Sequence, residues 1–209
     1  MSLFLCLKTE LEEVCLSTMN KRVLILGGNS GIGASLNEML HADGIETILW
    51  SRSQDGLDVT EAEPSFPVLE GAIDALVYCP GSILLKPFRG LKIGDFEHDM
   101  SVNYLGAVKT IKHVLPNLKA AENASIVLFS SVAVQKGMPF HSSIAGAKGA
   151  VEGLTRALAA EFAPTIRVNC IAPSLTDTPL AEKLLRNQKQ REGAAQRHPL
   201  KAIGTPEDI

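Results

Sequence analysis

Aromatic residues are scarce in this chain. Two tyrosines and one tryptophan in 209 residues mean that any chemistry requiring a phenol has only Tyr78 and Tyr104 to draw on. Cysteine is almost as rare, and Cys6, Cys15, Cys79 and Cys170 form no CxxC pair or Cys/His cluster. That spacing argues against a bound metal and for a reducing cytoplasm, with Cys79 and Cys170 acting as small hydrophobes inside apolar runs. No basic run could track a phosphate backbone, and the net charge is −3, so nucleic acid is not an expected partner. No apolar stretch reaches membrane-spanning length, and no membrane association is expected. The candidate targeting segment, Ser2 to Leu7, is too short for a signal-peptide core and is followed by acids. With 45% hydrophobic and 21% charged residues, the chain has the composition of one soluble globular domain with a sizeable core.

Residues 1–20 read as an N-terminal extension of unknown role, with Met19 a candidate internal start. From Arg22 onward, short β-rich apolar runs alternate with longer stretches of helical period, the pattern of βαβ units. Strands are expected at Val23–Leu26, Glu46–Trp50, Leu57–Val59, Ile73–Cys79, Ser125–Phe129 and Ile166–Ile171. Most are continuously apolar, as strands covered on both faces should be. One helix is expected across Phe96–Lys119, where Tyr104, Val108, Ile111 and Leu115 recur at helical spacing, and another across Gly146–Phe162. Between Asp58 and Ile73 there is room only for a stunted crossover, interrupted by Pro64 and Pro67. Thr205-Pro206-Glu207-Asp208 is a helix-start signal followed by a single residue, which suggests that the natural chain continues or that this one is truncated.

The first strand runs directly into Gly27-Gly28-Asn29-Ser30-Gly31-Ile32-Gly33, ahead of a helix. Glycines in such a turn let the backbone fold tightly and approach a pyrophosphate, while the free N–H groups at the helix start bind the anion. The plainer reading is a glycine-rich turn with a structural role only. At the tip of the second strand Arg52 follows Trp50-Ser51, where an acid would accept from a ribose 2′-hydroxyl and an arginine pairs with a 2′-phosphate. NADP is therefore preferred to NAD, unless Arg52 is simply solvated.

Taken in order, these pieces resemble the short-chain dehydrogenase/reductase family of classical type. The stretch from Leu26 to Gly33 is similar to its TGxxxGIG fingerprint, with Leu26 in place of Thr. It is followed by Leu57-Asp58-Val59, Tyr78-Cys79-Pro80-Gly81 in place of NNAG, Asn103-Tyr104-Leu105-Gly106, Ser130-Ser131, Lys148, Arg167-Val168-Asn169 and Pro173-Ser174-Leu175-Thr176-Asp177-Thr178. The resemblance spans about residue 21 to the end. It implies a single Rossmann-like domain over 21–209, α/β with a doubly wound parallel sheet of order 3-2-1-4-5-6, and residues 179–203 as a mobile substrate lid. It also implies a cofactor site built from Gly27, Asn29, Ser30, Gly31, Ile32, Gly33, Arg52, Asp58, Gly81, Lys148 and Thr178. In that site Asp58 bonds the adenine amino group and Thr178 the nicotinamide carboxamide. A homodimer or homotetramer formed through the two long helices is implied as well.

The family moves a hydride between nicotinamide and a carbinol or carbonyl carbon. In it a tyrosine passes the proton, a lysine lowers the phenol's pKa and holds the ribose, a serine holds the substrate oxygen, and an asparagine carries a water relay. Ser131, Lys148 and Asn103 match three of these four. The tyrosine belongs four residues before the lysine and thirteen after the serine, and both counts fall on Ile144. His141 could take the proton role instead of capping a helix, and Lys148 could itself act as well as bind ribose. Two readings follow. One is an NAD(P)-dependent oxidoreductase of small carbonyl or alcohol substrates. The other is a relative that binds dinucleotide, or serves as a partner subunit, without turnover.

Overall fold

A computed structural model describes residues 21–209; the N-terminal extension expected over 1–20 lies outside the described residues. Five strands, β1 (Arg22–Leu26), β2 (Glu46–Trp50), β3 (Ala75–Tyr78), β4 (Ala124–Phe129) and β5 (Ile166–Ile171), form one all-parallel sheet in the order β2-β1-β3-β4-β5. Because successive side chains point to opposite faces of a strand, β1 feeds two cores. Leu24 and Leu26 pack with Leu76, Ile126 and Leu128 beneath α4 (Gly106–Lys119) and α6 (Ser142–Phe162). Val23 and Ile25 face the other way with Val77, against Leu36 and Leu40 of α1 (Gly31–Ala42). Helices thus cover both faces, which is the doubly wound arrangement.

The expected strand at Leu57–Val59, and with it the outermost position of the 3-2-1-4-5-6 order, is not formed; the sheet ends at β2. A parallel neighbour needs a crossover of about a dozen residues. The chain leaves β2 at Trp50 and makes only one helical turn, α2 (Arg52–Asp55), before Leu57. Leu57 and Val59 are buried in the core instead, as irregular chain. What covers the sheet at this edge is aromatic: Phe66, from the proline-interrupted segment, stacks on His113 of α4 with ring centroids 4.5 Å apart, and both rings lie beside buried Trp50.

The helix expected over Phe96–Lys119 is also interrupted. It divides into α3 (Ile93–Met100) and α4, joined by one π-helical turn at Ser101–Leu105. Such a turn carries one extra residue and is often found at functional sites; this one contains Asn103. Beyond β4 lies the single turn α5 (Val132–Lys136). Past β5, the segment expected as a lid folds into a 3₁₀ stretch, Pro179–Leu184, and α7 (Gln188–Arg197) around Ala181, Leu185 and Ala194. Its base is closed by a bridge between Thr176 and Gly204. The helix-start signal near residue 205 forms a 3₁₀ turn, Pro206–Asp208, which touches α1 through Glu207 and Ser35.

Candidate functional site

β1 and β3 are sheet neighbours whose chains leave in opposite directions, β1 toward β2 and β3 toward β4. Crevices open at the carboxyl ends of strands at such a switch point. Here the crevice is a cleft of about 730 Å³. Gly27, Asn29, Ser30, Gly31, Ile32, Gly33, Arg52, Asp58, Gly81 and Thr178 all line it.

The glycines have physical reasons to be there. Gly27 and Gly31 hold left-handed φ values of 76° and 52°, which side-chain-bearing residues rarely adopt. A Cβ on Gly33 would overlap the carbonyl oxygen of Gly27, so α1 can pack this close to the turn only with glycine at that position. Ser30 is the N-cap of α1 but makes no side-chain cap bond. The hydroxyl and the first helical N–H groups are therefore left to meet an anion from the cleft. The Thr178 side chain packs against Gly31, 3.4 Å from where a Cβ would stand there.

At the far end, Arg52 pairs with Asp58 at 3.2 Å, and its side chain is 81% exposed. Hydrogen bonds from the Thr60 side chain and backbone hold the Asp58 carboxyl below its ordinary range, with Arg52 and His98 adding to the effect. An exposed ion pair of this kind is weak and readily exchanged, so the guanidinium can turn to another anion. Asp55 is the acid nearest this tip in sequence. Its carboxylate accepts from the Ser51 backbone N–H at 2.7 Å, and it is absent from the cleft wall.

Lys148 and Asn103 meet behind Gly81. A Cβ on Gly81 would lie 3.4 Å from Asn103 Oδ1 and 3.6 Å from Lys148 Nζ. The lysine, buried on α6, donates to the Phe129 carbonyl at 2.8 Å. Burial pushes its ammonium down to about 8, opposed by the fields of Cys170, Cys79 and Asp99. Asn103 donates through Nδ2 to Ser82 Oγ and to the Asp99 carbonyl, 2.8 Å each. Its Oδ1 is the one buried side-chain polar atom without a partner among the described residues. Ser131 caps α5, accepting from the Ala133 N–H, so its own proton is free to donate. His141 precedes α6 with its ring against the Pro139 carbonyl at 2.7 Å, and Ile144 is buried at 6% exposure.

A network invisible in the spacing of motifs runs beside this corner. Asp99 is fully buried and accepts from Ser82 Oγ and Ser143 Oγ, 2.6 Å each. The available signal was its place four residues before Asn103, one helical turn away. Cys79 lines the cleft, and burial pushes its thiol up to about 12, so it is not a nucleophile near neutral pH. No group of three or more metal-ligating side chains is found among the described residues, and none of their helices is long and apolar enough to cross a membrane.

A parallel sheet covered on both faces, with a glycine turn at its switch point, defines a Rossmann-like α/β protein. The comparisons narrow the class. A family model described as enoyl-(acyl carrier protein) reductase matches residues 59–209. A 3-oxoacyl-(acyl-carrier-protein) reductase of Thermotoga maritima is 32% identical over 215 residues, covering 90% of this chain and 87% of that protein. A tropinone reductase homolog of Datura stramonium is 30% identical over 216 residues, covering 89% and 81%. The solved structure of ElxO with NADP bound superposes with a TM-score of 0.80 at 27% identity, covering 91% of this chain and 88% of that one. The chain belongs to the short-chain dehydrogenase/reductase family, whose members are oxidoreductases.

Proposed function

We propose that this protein is an NADP-preferring oxidoreductase of a small carbonyl or alcohol substrate. The observation that carries the reading is the cleft at the sheet's switch point, walled by the glycine turn, Arg52, Asp58, Gly81 and Thr178. Two features support a dinucleotide as its occupant: a cradle that tolerates no Cβ at Gly33, and an uncapped helix N-terminus for the pyrophosphate. The solved relative carrying NADP supports the same cofactor. Asp58 bonds the adenine end, Thr178 the carboxamide, and Lys148 the nicotinamide ribose. A bound nicotinamide supplies or accepts the hydride. Ser131 holds the substrate oxygen, and the open Oδ1 of Asn103 accepts from a water beside Lys148.

Arg52 selects the 2′-phosphate by exchanging Asp58 for it. A charge-assisted pair is worth ~1.5–3 kcal/mol; exposure puts Arg52 at the lower end, about tenfold in affinity. NADPH therefore binds about tenfold more tightly than NADH in a nicotinamide-fluorescence titration, and Arg52→Ala removes the difference. Equal affinities, or an unchanged ratio in the variant, would overturn the preference. Ile144 favours a second reading, in which the dinucleotide is bound without efficient turnover. A panel of carbonyl substrates assayed with NADPH separates the two.

A further inference from the structure

Lys148 is an ammonium buried without a salt bridge among the described residues. Its one hydrogen bond runs to a neutral carbonyl, that of Phe129 on β4. Taking an unpaired charge out of water is expensive, and a buried lysine commonly meets that cost by losing its proton. Four groups face it or stand near it. Cys79 follows β3, Cys170 is the penultimate residue of β5, Asp99 comes from α3, and Glu152 lies one turn further along α6. Glu152 is engaged elsewhere, accepting from Ser130 Oγ at 2.7 Å and facing Arg156. Burial raises both thiols, so neither is an anion near neutral pH. That leaves Asp99.

The surroundings of Asp99 suit this task. Its carboxylate is 0% exposed and is gripped by two hydroxyls from opposite sides. Ser82 follows Gly81, against which Lys148 Nζ lies, and Ser143 is on the lysine's own helix beside Ile144. Neither hydroxyl neutralises the carboxylate. Among the charged neighbours, Lys86 is committed to Asp95, while His98 faces the cleft toward Asp58.

We propose that Asp99, clasped between Ser82 and Ser143, is a positioning residue that serves as the buried counter-charge of Lys148 and keeps it an ammonium at neutral pH. The clasp joins the turn beneath the cleft to the first turn of α6, so charge and placement of the lysine are set together. The consequence for cofactor binding rests on the function proposed above, since it is a protonated Lys148 that donates to the ribose. The charge itself can be measured without any cofactor.

The experiment is NMR of the full chain carrying lysine labelled with ¹³C at Cε, titrated from neutral to alkaline pH. The Lys148 signal is identified as the one lost in Lys148→Met. The wild-type midpoint is expected near the value set by burial, about 8. In Asp99→Asn it falls by on the order of one pH unit, the usual effect of removing a nearby opposite charge. NADPH affinity then weakens with rising pH along the same displaced curve. If Asp99→Asn fails to fold, the triple variant Ser82→Ala/Asp99→Leu/Ser143→Ala removes donors and acceptor together, a replacement buried clusters often tolerate, and the same shift is read from it. A midpoint in either variant within a few tenths of wild type would overturn the proposal. A midpoint that moves while NADPH affinity stays flat across it would uphold the counter-charge and count instead against Lys148 as the ribose ligand.

Discussion

On the proposed function, Ile144 stands at the position that the resemblance assigns to a proton carrier, and its surroundings decide what can replace it. The site is dry, at 6% exposure, and α6 continues from it to Lys148 one turn later. His141, the nearest titratable substitute before it in sequence, has a ring nitrogen engaged with the Pro139 carbonyl. Restoring the phenol should therefore matter more than removing the histidine. Ile144→Tyr is expected to raise carbonyl reduction by about 10²-fold or more, the scale of a regained general acid, with little change in NADPH affinity. His141→Ala should leave the wild-type rate nearly unchanged. Steady-state assays on one carbonyl substrate check both. A folded, cofactor-bound but inert tyrosine variant would mean that the remaining residues no longer form a reaction centre. At this scale the motif-bearing residues were legible because glycines, Arg52 and Lys148 each have a chemistry tied to their spacing. Asp99, Ser82 and Ser143 were not: beyond the place of Asp99 one helical turn before Asn103, two serines and an aspartate carry no signal until the fold brings them together.

Among the elements, the π-helical turn is held by an unusually close contact. Tyr78 at the end of β3 donates to the Val102 carbonyl at 2.7 Å, and a Cβ on Gly106 would overlap the same phenol oxygen while coming within 3.0 Å of Val59. Gly106→Ala is expected to cost about 1–3 kcal/mol, as overpacking does. Tyr78→Phe alone should cost about 1 kcal/mol for the lost hydrogen bond. Together they should cost less than the sum, because the alanine no longer meets the hydroxyl. Denaturant unfolding of the four proteins measures the coupling, and strict additivity would show that Val59 alone sets the limit. The break in the helix was not legible, since apolar residues before and after it keep nearly the same period. Five strands were legible from their apolar runs, to within two residues at each end. Leu57–Val59 misled for the same reason: buried apolar residues look alike whether or not a crossover is long enough to bring them beside a neighbour.

For the molecule as a whole, the helices covering one face of the sheet also present small and apolar side chains outward. Leu105 is exposed where α4 begins, and Gly146, Ala157 and Ala160 are exposed along α6. Small residues permit close approach of a second copy, and two-fold pairing is the commonest form of self-association. Sedimentation at micromolar concentration should therefore give a dimer or tetramer rather than a monomer.

The loss of the outermost strand has one more effect. With the sheet ending at β2, the chain's single tryptophan stands at the strand's tip, 3% exposed, with Phe66 and His113 on one side and the cleft on the other. An indole so placed is a built-in optical probe. Whatever enters the cleft changes the colour and brightness of one emitter, with no second tryptophan to blur the signal, and occupancy can be followed by eye of the spectrometer alone on the unmodified protein.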